Sequence, residues 1–373
     1  MKIALVSPLP PYRGGIATFS DHLIRHLAPQ HEIYGINFRR LYPQILFPGK
    51  SQLHSEHVES SSVKTDSIVD SVNPCSWGRA ARRISSFNPD VCIFAYWMPF
   101  FIPAYRRIMN GLSGSCKTVL LCHNVQEHES IPGLQGLKRR FFQAADKLVV
   151  LSTISYRQLD MLKVNRPTSM LFHPLSTGYG EELHQEKAKE RLGIPENIPV
   201  ILYFGLVRPY KGLPHLLEAA GHLRQRDIVF HLRVAGEFYQ GFDEARALVS
   251  RLGLEDVVTL ENRFIQDHEV AAYFSASDVV ALPYLAATQS GVVPIAYHFN
   301  RPVVVTDVGG LPEVVQTGET GYLVPPGDAL ALANALEHDL PDGFRAMRKK
   351  VSRFKEQFSW ASFVSQLEHF LGE

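Results

Sequence analysis

Arg208 and Lys211 stand three residues apart in FGLVRPYKG, directly after an apolar run that reads as a strand. A forked guanidinium beside a compact ammonium suits a diphosphate. The second stretch with chemistry in it is VVALPYLAATQSGVVPIAYHFNRPVVVTDVGGLPE, residues 279–313. It reads as strand, loop, helix, strand and turn, with the helix over 291–299. Ser290 is read as the N-cap, and Pro294 falls in the first turn, where N–H groups lack intrahelical partners. Behind Thr288, Gln289 and Ser290, free N–H groups on Gly291, Val292 and Val293 would then open where a strand ends, the arrangement that binds phosphate. Each feature also has a plainer reading. A Ser-Gly helix entrance is often ordinary capping, and RPYK alone is often an exposed basic loop. Their shared position at the carboxyl ends of strands favours the phosphate reading. Gly14-Gly15 serves either a tight turn or the close approach of backbone to a ligand. His123 sits just past an apolar strand, as a structural or a functional histidine.

The elements that must position these residues alternate regularly. In the first half, strands are expected over 2–7, 32–37, 91–95, 118–122 and 148–151, with helices over 16–27, 77–87, 137–145 and 153–162. Residues 51–70 read as a polar loop, and 96–108 as an aromatic-rich segment closed by Arg106-Arg107. After a charged connection over 178–199, strands follow over 200–205, 231–235, 257–260, 279–282, 303–306 and 321–324. Helices lie between them over 213–223, 243–252, 267–276, 291–299 and 329–337, with Asp267 and Asp328 as N-cap candidates. This alternation indicates parallel, doubly wound sheets. No G-x-G-x-x-G follows the first strand, so a dinucleotide-binding fingerprint is not supported.

A chain of 373 residues exceeds one typical core, so two domains are expected. Hydrophobic residues make up 45% and charged residues 20%, as in a folded globular protein. No apolar run is long enough to span a bilayer, and KIALVSP begins as a strand and not as a signal peptide. The four cysteines, Cys75, Cys92, Cys116 and Cys122, form no Cys-x-x-Cys pair, which fits reduced thiols and a cytoplasmic location. The net charge of +1 is unevenly spread: residues 1–175 hold 20 basic and 11 acidic residues, leaving 18 basic and 26 acidic in the remainder. One half therefore suits an anionic partner. FRRLYPQILFPGK (38–50) and LKRRFFQAADKL (137–148) mix basic and bulky apolar residues, as surfaces lying on the inner face of a membrane do. A basic rim over inward-packed apolar residues gives the same composition.

FGLVRPYKG, the loop opening into a helix, RPVVVTDVGGLPEVV and TGYLVPPGD, with SPLPPYRGGIATF near the N-terminus, resemble the retaining GT-B glycosyltransferases of family GT4 (glycosyl transferases group 1). The resemblance spans nearly the whole chain. It implies an α/β protein of GT-B architecture, two Rossmann-like domains facing a central cleft. The expected domains are 1–175 on the acceptor side and 176–355 for the nucleotide-sugar, with a C-terminal helix, 356–373, packing back toward the first. It implies a nucleotide-diphosphate sugar as co-substrate and a glycan or lipid-linked acceptor, in cell-surface polysaccharide or glycolipid synthesis. Arg208 and Lys211 match the cations that hold the donor phosphates. Gly14 and Gly15 match the glycine loop facing them, and His123 the histidine near the transferred sugar. Arg263, Phe264 and Ile265 match the loop where the nucleobase packs, mostly against backbone.

The family usually carries two glutamates eight positions apart in the opening stretch. Here those places hold Ala287 and Ile295. In their place the loop reads Thr288-Gln289-Ser290, of which Gln289 or Ser290 could bond the sugar or diphosphate. No D-x-D and no cluster with metal-ligand spacing occurs, so neither a metal nor another cofactor is expected, and no nucleic-acid partner. Glu127 and Glu129 follow His123 but read as solvated loop acids. Two other readings are a GT-B-like sugar-nucleotide epimerase, which needs acid/base groups that this stretch is poor in, and a non-catalytic sugar-nucleotide-binding protein, which the missing glutamates favour.

Overall fold

The structure, a computed structural model, describes residues 1–43, 51–53, 63–112, 114–125, 134–175 and 178–372. The chain forms two units, Met1–His173 with Trp360–Glu373, and Pro174–Ser359. The second part of the basic–apolar segment 38–50, and both Glu127 and Glu129, lie outside the described residues.

The first unit is built on β1 (Lys2–Val6), α1 (Gly15–Leu27), β2 (Glu32–Arg40), β3 (Thr65–Asp70), α2 (Pro74–Phe87), β4 (Val91–Tyr96), α3 (Ile102–Met109), β5 (Lys117–Cys122), α4 (Leu134–Phe142), β6 (Lys147–Val150), α5 (Thr153–Met161) and β7 (Thr168–Met170). Its seven strands are ordered β3-β2-β1-β4-β5-β6-β7, and every pairing is parallel. Helices cover both faces, so the central strands are apolar on both sides, as in VCIFAY. One face packs Ala80, Ile84, Tyr105, Ile108, Phe141 and Phe142 of α2, α3 and α4 against the sheet. The other packs Phe19, Leu23 and Leu27 of α1 with Trp360, Phe363 and Leu367 of the C-terminal helix, Trp360–Gly372. Trp360 stacks on His22 and His26, with ring centroids 5.6 and 5.1 Å away.

Residues 65–70 are therefore a strand, which corrects the loop reading of 51–70. TDSIVD lies at the sheet edge with its first half partly in water, so its polar residues did not mark it as a strand. The aromatic stretch after β4 folds into a short 3₁₀ turn and α3, with Phe101, Ile102 and Tyr105 buried. Cys92, Cys116 and Cys122 are buried thiols, whereas Cys75 is exposed.

The second unit runs α6 (Gln185–Arg191), β8 (Val200–Phe204), α7 (Leu213–Gln225), β9 (His231–Ala235), α8 (Phe242–Arg251), β10 (Val258–Glu261), α9 (Asp267–Ala276), β11 (Val279–Leu282), α10 (Val292–His298), β12 (Val303–Thr306), β13 (Gly321–Val324), α11 (Ala329–Asp339) and α12 (Arg345–Phe354). Its strand order is β10-β9-β8-β11-β12-β13, again with parallel pairings. Strand order reverses between β8 and β11, and a ligand in such a sheet gathers at the carboxyl ends flanking that point. Asp328 caps α11, accepting from the Ala331 N–H at 2.8 Å. Asp267 is not a cap: Gln266 occupies that place, in a capping box with Glu269. Arg301 is fully buried; it donates to the Phe274 and Ser275 carbonyls at 2.7 and 2.9 Å and pairs with Glu182 at 2.8 Å.

Candidate functional site

The loop after β8 begins at Gly205, where φ is +100°. Backbones crowd here: a Cβ on Gly236, after β9, would stand 1.9 Å from the Gly205 carbonyl oxygen. The two loops continue side by side. Val207 N–H donates to the Glu237 carbonyl at 2.9 Å, and Tyr239 N–H to the Val207 carbonyl at 3.2 Å. The Arg208 guanidinium lies 4.8 Å over the Tyr239 ring, an arrangement that orients the fork without using up its donors. Pro209–Lys211 is a 3₁₀ turn closed by Gly212, at φ +67°. A Cβ on Gly212 would meet the Pro283 carbonyl oxygen at 1.9 Å, and Leu285 N–H donates to the Tyr210 carbonyl at 2.7 Å. The cation-bearing loop after β8 is thus fastened to the loop after β11.

That fastening brings Lys211 to the helix entrance. A methyl on Gly205 would lie 3.5 Å from Lys211 Nζ and 3.7 Å from Val292 Cγ2, so both flank one point. Lys211 Nζ also sits 5.3 Å over the Tyr284 ring, and Tyr284 Oη lies 3.4 Å from Ser290 Oγ. Lys211 makes no ion pair with a carboxylate among the described residues. Burial lowers its pKa; Tyr210 opposes that shift and Arg208 adds to it. A half-buried ammonium short of a counter-charge is a poised anion site.

The opening stretch is held from behind. A Cβ on Gly309 would stand 1.7 Å from the Ala287 carbonyl oxygen, and Gly310 N–H donates to the Thr288 carbonyl at 2.9 Å. Thr288 and Ser290 are buried, Gln289 is half-buried and Gly291 is exposed. The helix begins at Val292 with Gly291 as its N-cap, not at Gly291 with Ser290 as cap. Ser290 Oγ accepts from the Val292 N–H at 3.1 Å, so one N–H expected to be free is taken by the chain itself. Of the two positions where the family carries glutamates, Ile295 is packed in the core of the unit, and Ala287 touches the turn after β12 through its backbone.

Arg263 follows β10 at the same sheet edge. Its guanidinium bonds Glu261 and Glu269 at 2.7 Å and Tyr273 at 3.0 Å. Phe264 is half-buried, and the Ile265 side chain is in the core.

The remaining residues belong to the first unit. Gly14 is the N-cap of α1 at φ +109°. A methyl placed on it, or on Gly15, would meet no atom of the described residues within 4 Å. His123 follows β5; its N–H donates to the Tyr96 carbonyl at 2.8 Å, and its ring meets the edge of Phe19 at 4.8 Å. Burial, with a smaller contribution from His173, lowers its pKa to about 3, so the imidazole is neutral near pH 7. Among the described residues no three His, Cys, Asp or Glu groups are arranged to hold a metal ion.

Sequence reasoning missed Tyr239 and Tyr284, which carry the two cations, and the glycines that fasten the loops. The available signal was a glycine directly after β8 and β9, Gly205 and Gly236, with Gly212 and Gly309 further along the loops after β8 and β12.

Two parallel-sheet, Rossmann-like units with strand order reversing at a cation-bearing loop define the GT-B class of protein. Residues 198–342 match the family model described as glycosyl transferases group 1. Among curated proteins, D-inositol 3-phosphate glycosyltransferases are similar. That of Corynebacterium aurimucosum is 34% identical over 204 residues, 52% of this chain and 48% of the relative. That of Salinispora arenicola is 34% identical over 202 residues, 51% and 44% of the two chains. The chain thus spans about half the length of the curated relatives it matches. Among solved structures, sucrose-phosphate synthase from Thermosynechococcus elongatus superposes with a TM-score of 0.79 at 20% identity, over 99% of this chain and 98% of that one. Anabaena HepE in complex with UDP superposes with a TM-score of 0.77 at 18% identity, over 100% of both chains. These likenesses carry the GT-B fold expected from the sequence.

Proposed function

We propose that the protein is a retaining, metal-independent glycosyltransferase that moves a sugar from a nucleoside-diphosphate donor to a glycan or lipid-linked acceptor. The observation that carries this reading is the half-buried Lys211 ammonium beside Val292, without a carboxylate partner among the described residues, and with Arg208 on the same turn at the switch point of the second sheet. Curated relatives named as glycosyltransferases, and structural neighbours solved with UDP and UDP-glucose, support it. In the proposed reaction the bond between the sugar anomeric carbon and the β-phosphate oxygen breaks. The acceptor oxygen bonds that carbon on the same face, and the acceptor proton passes to the departing phosphate. Arg208 and Lys211 stabilise the charge that develops on the diphosphate. Thr288, Gln289, Ser290, Gly291 and Val292 border it, and the backbone of Arg263, Phe264 and Ile265 meets the nucleobase. Gly14 and Gly15 let a phosphate or acceptor approach the backbone, and the neutral His123 acts as a hydrogen-bonding group toward the sugar.

Nucleoside diphosphate release, measured chromatographically with and without an acceptor fraction and with and without EDTA, tests this reading. Release that depends on acceptor and survives EDTA is expected. Conversion of the donor without acceptor would favour an epimerase, and tight donor binding with no turnover a binding protein.

We propose further that the first unit lies on an anionic membrane surface at the cytoplasmic face, where a polysaccharide or glycolipid would be assembled. Three helices on one face of its sheet support this: α2, α3 and α4 expose Arg79, Arg82, Arg83, Arg107, Arg139 and Arg140, with Arg106 half-buried, and carry no acidic residue. Arg79, Arg82, Arg107, Arg139 and Arg140 form no ion pair among the described residues. Flotation with phosphatidylserine vesicles is expected, and flotation equal to that with neutral vesicles would refute it.

A further inference from the structure

Arg263 carries five N–H donors, and the chain occupies all five. Nε donates to Glu261 Oε1 at 2.7 Å. Nη1 donates to Glu269 Oε2 at 2.7 Å and to the Phe264 carbonyl at 3.5 Å. Nη2 donates to Glu269 Oε1 at 2.7 Å and to Tyr273 Oη at 3.0 Å. The network closes on itself. Tyr273 Oη donates to Glu261 at 2.8 Å, Arg233 pairs with Glu261 at 2.9 Å, and Glu269 also accepts from the Gln266 N–H at 3.0 Å. Such bidentate, charge-assisted bonds are geometrically specific. Desolvation, with Glu261 close by, lifts the Tyr273 hydroxyl to about 12, and the Arg263 bond holds the Glu269 carboxylate below its ordinary value.

The network reaches the cation loop through backbone. Gly236 N–H donates to the Glu261 carbonyl at 3.1 Å, and Phe238 N–H to Asn262 Oδ1 at 2.9 Å. Residue 239, next along, stacks under Arg208. The three loops after β10, β9 and β8 thus form one continuous wall at the carboxyl edge of the sheet.

We infer that Arg263 is a positioning residue: its guanidinium does not touch the donor but pins residues 262–266, and through them the wall that carries Arg208, before any nucleotide arrives. A preset wall lowers the ordering cost of binding. This inference rests on the donor reading proposed above.

Titration calorimetry with UDP, ADP and GDP on wild type, Arg263→Gln, Glu269→Gln and the double variant tests it, with melting curves to confirm folding and Arg224→Gln as an exposed ion-pair control. Each network single is expected to weaken the nucleotide that wild type binds by about tenfold, a scale set by small misplacements of a binding group. The double variant is expected to bind no more weakly than the worse single, because both changes break one unit. If Arg263 instead touched the ligand, Glu269→Gln would free it, and binding would hold or tighten; that result overturns the inference, as does wild-type affinity in both singles. A wild type that binds none of the three nucleotides removes the donor reading and this inference together.

Discussion

Lys211→Met should raise the stability of the protein while removing its activity. The ammonium is half-buried beside Gly205, Val292 and Tyr284 and has no carboxylate partner among the described residues, so the fold bears part of its desolvation. Methionine keeps the length of the side chain and needs no hydration. Relief of a half-buried, unpaired charge is worth about 1–2 kcal/mol. In a domain the size of Pro174–Ser359, that corresponds to a melting temperature higher by roughly 2–8 °C. The pH dependence has a defined sign. The folded pKa of Lys211 lies below the ordinary lysine value of 10.5, so between the two values the unfolded chain binds more protons, and wild-type stability rises with pH there. The advantage of Lys211→Met should therefore shrink as pH climbs toward 10.5. On the proposed function, loss of one preorganised donor to the departing diphosphate costs about 3 kcal/mol, on the order of 100-fold in kcat. Scanning fluorimetry and a nucleotide-release assay on one preparation measure both halves. A lower melting temperature, or turnover within a factor of three of wild type, would refute the reasoning.

Gly309→Ala should destabilise by about 2–4 kcal/mol, because φ is +57° and the new Cβ would strike the Ala287 carbonyl; denaturant melts check it. Arg301→Met leaves two carbonyls and Glu182 without their buried partner, and a loss of about 3–5 kcal/mol is expected in the same assay. His123 is buried and His231 half-buried, and burial lowers their pKa values to about 3 and about 4, so both are neutral near pH 7. The unfolded chain binds more protons below about pH 6.5, so stability is full above that value and falls as pH drops toward 4. Melts from about pH 7.5 to 4 should show the decline, and His231→Gln should flatten it.

Most strand positions, and the helices between them, were legible where a segment is buried enough to repeat its pattern, although α3 and α12 were not read as helices. VILYF, VVVT and KTVLLC read as strands because both faces of each sheet are covered, and the glycine and proline breaks marked most loop boundaries. The edge strand Thr65–Asp70 escaped because half of it faces water, and its sequence says nothing of its pairing with β2. Helix α6 escaped for a related reason: QEKAKER has few apolar positions, and its packing on α9 supplies what its own pattern lacks. At the site, residue types and the order of strands pointed to Arg208, Lys211 and the opening before α10. Whether Ser290 leaves the Val292 N–H free, and whether Arg263 faces a ligand or a carboxylate, depends on ångström-scale choices among competing partners.

The sequence by itself determined two α/β units and a cationic loop placed to meet a helix entrance, because apolar periodicity and strand order act locally and repeat. Only the tertiary structure decided how that loop is held. Lys211 meets Val292 and Tyr284 some 70–80 residues onward, Gly309 lies on Ala287, and Arg263 spends all five donors on its own chain. Contacts between distant loops are selected by the packing of the whole sheet edge, and no short stretch of sequence carries that information.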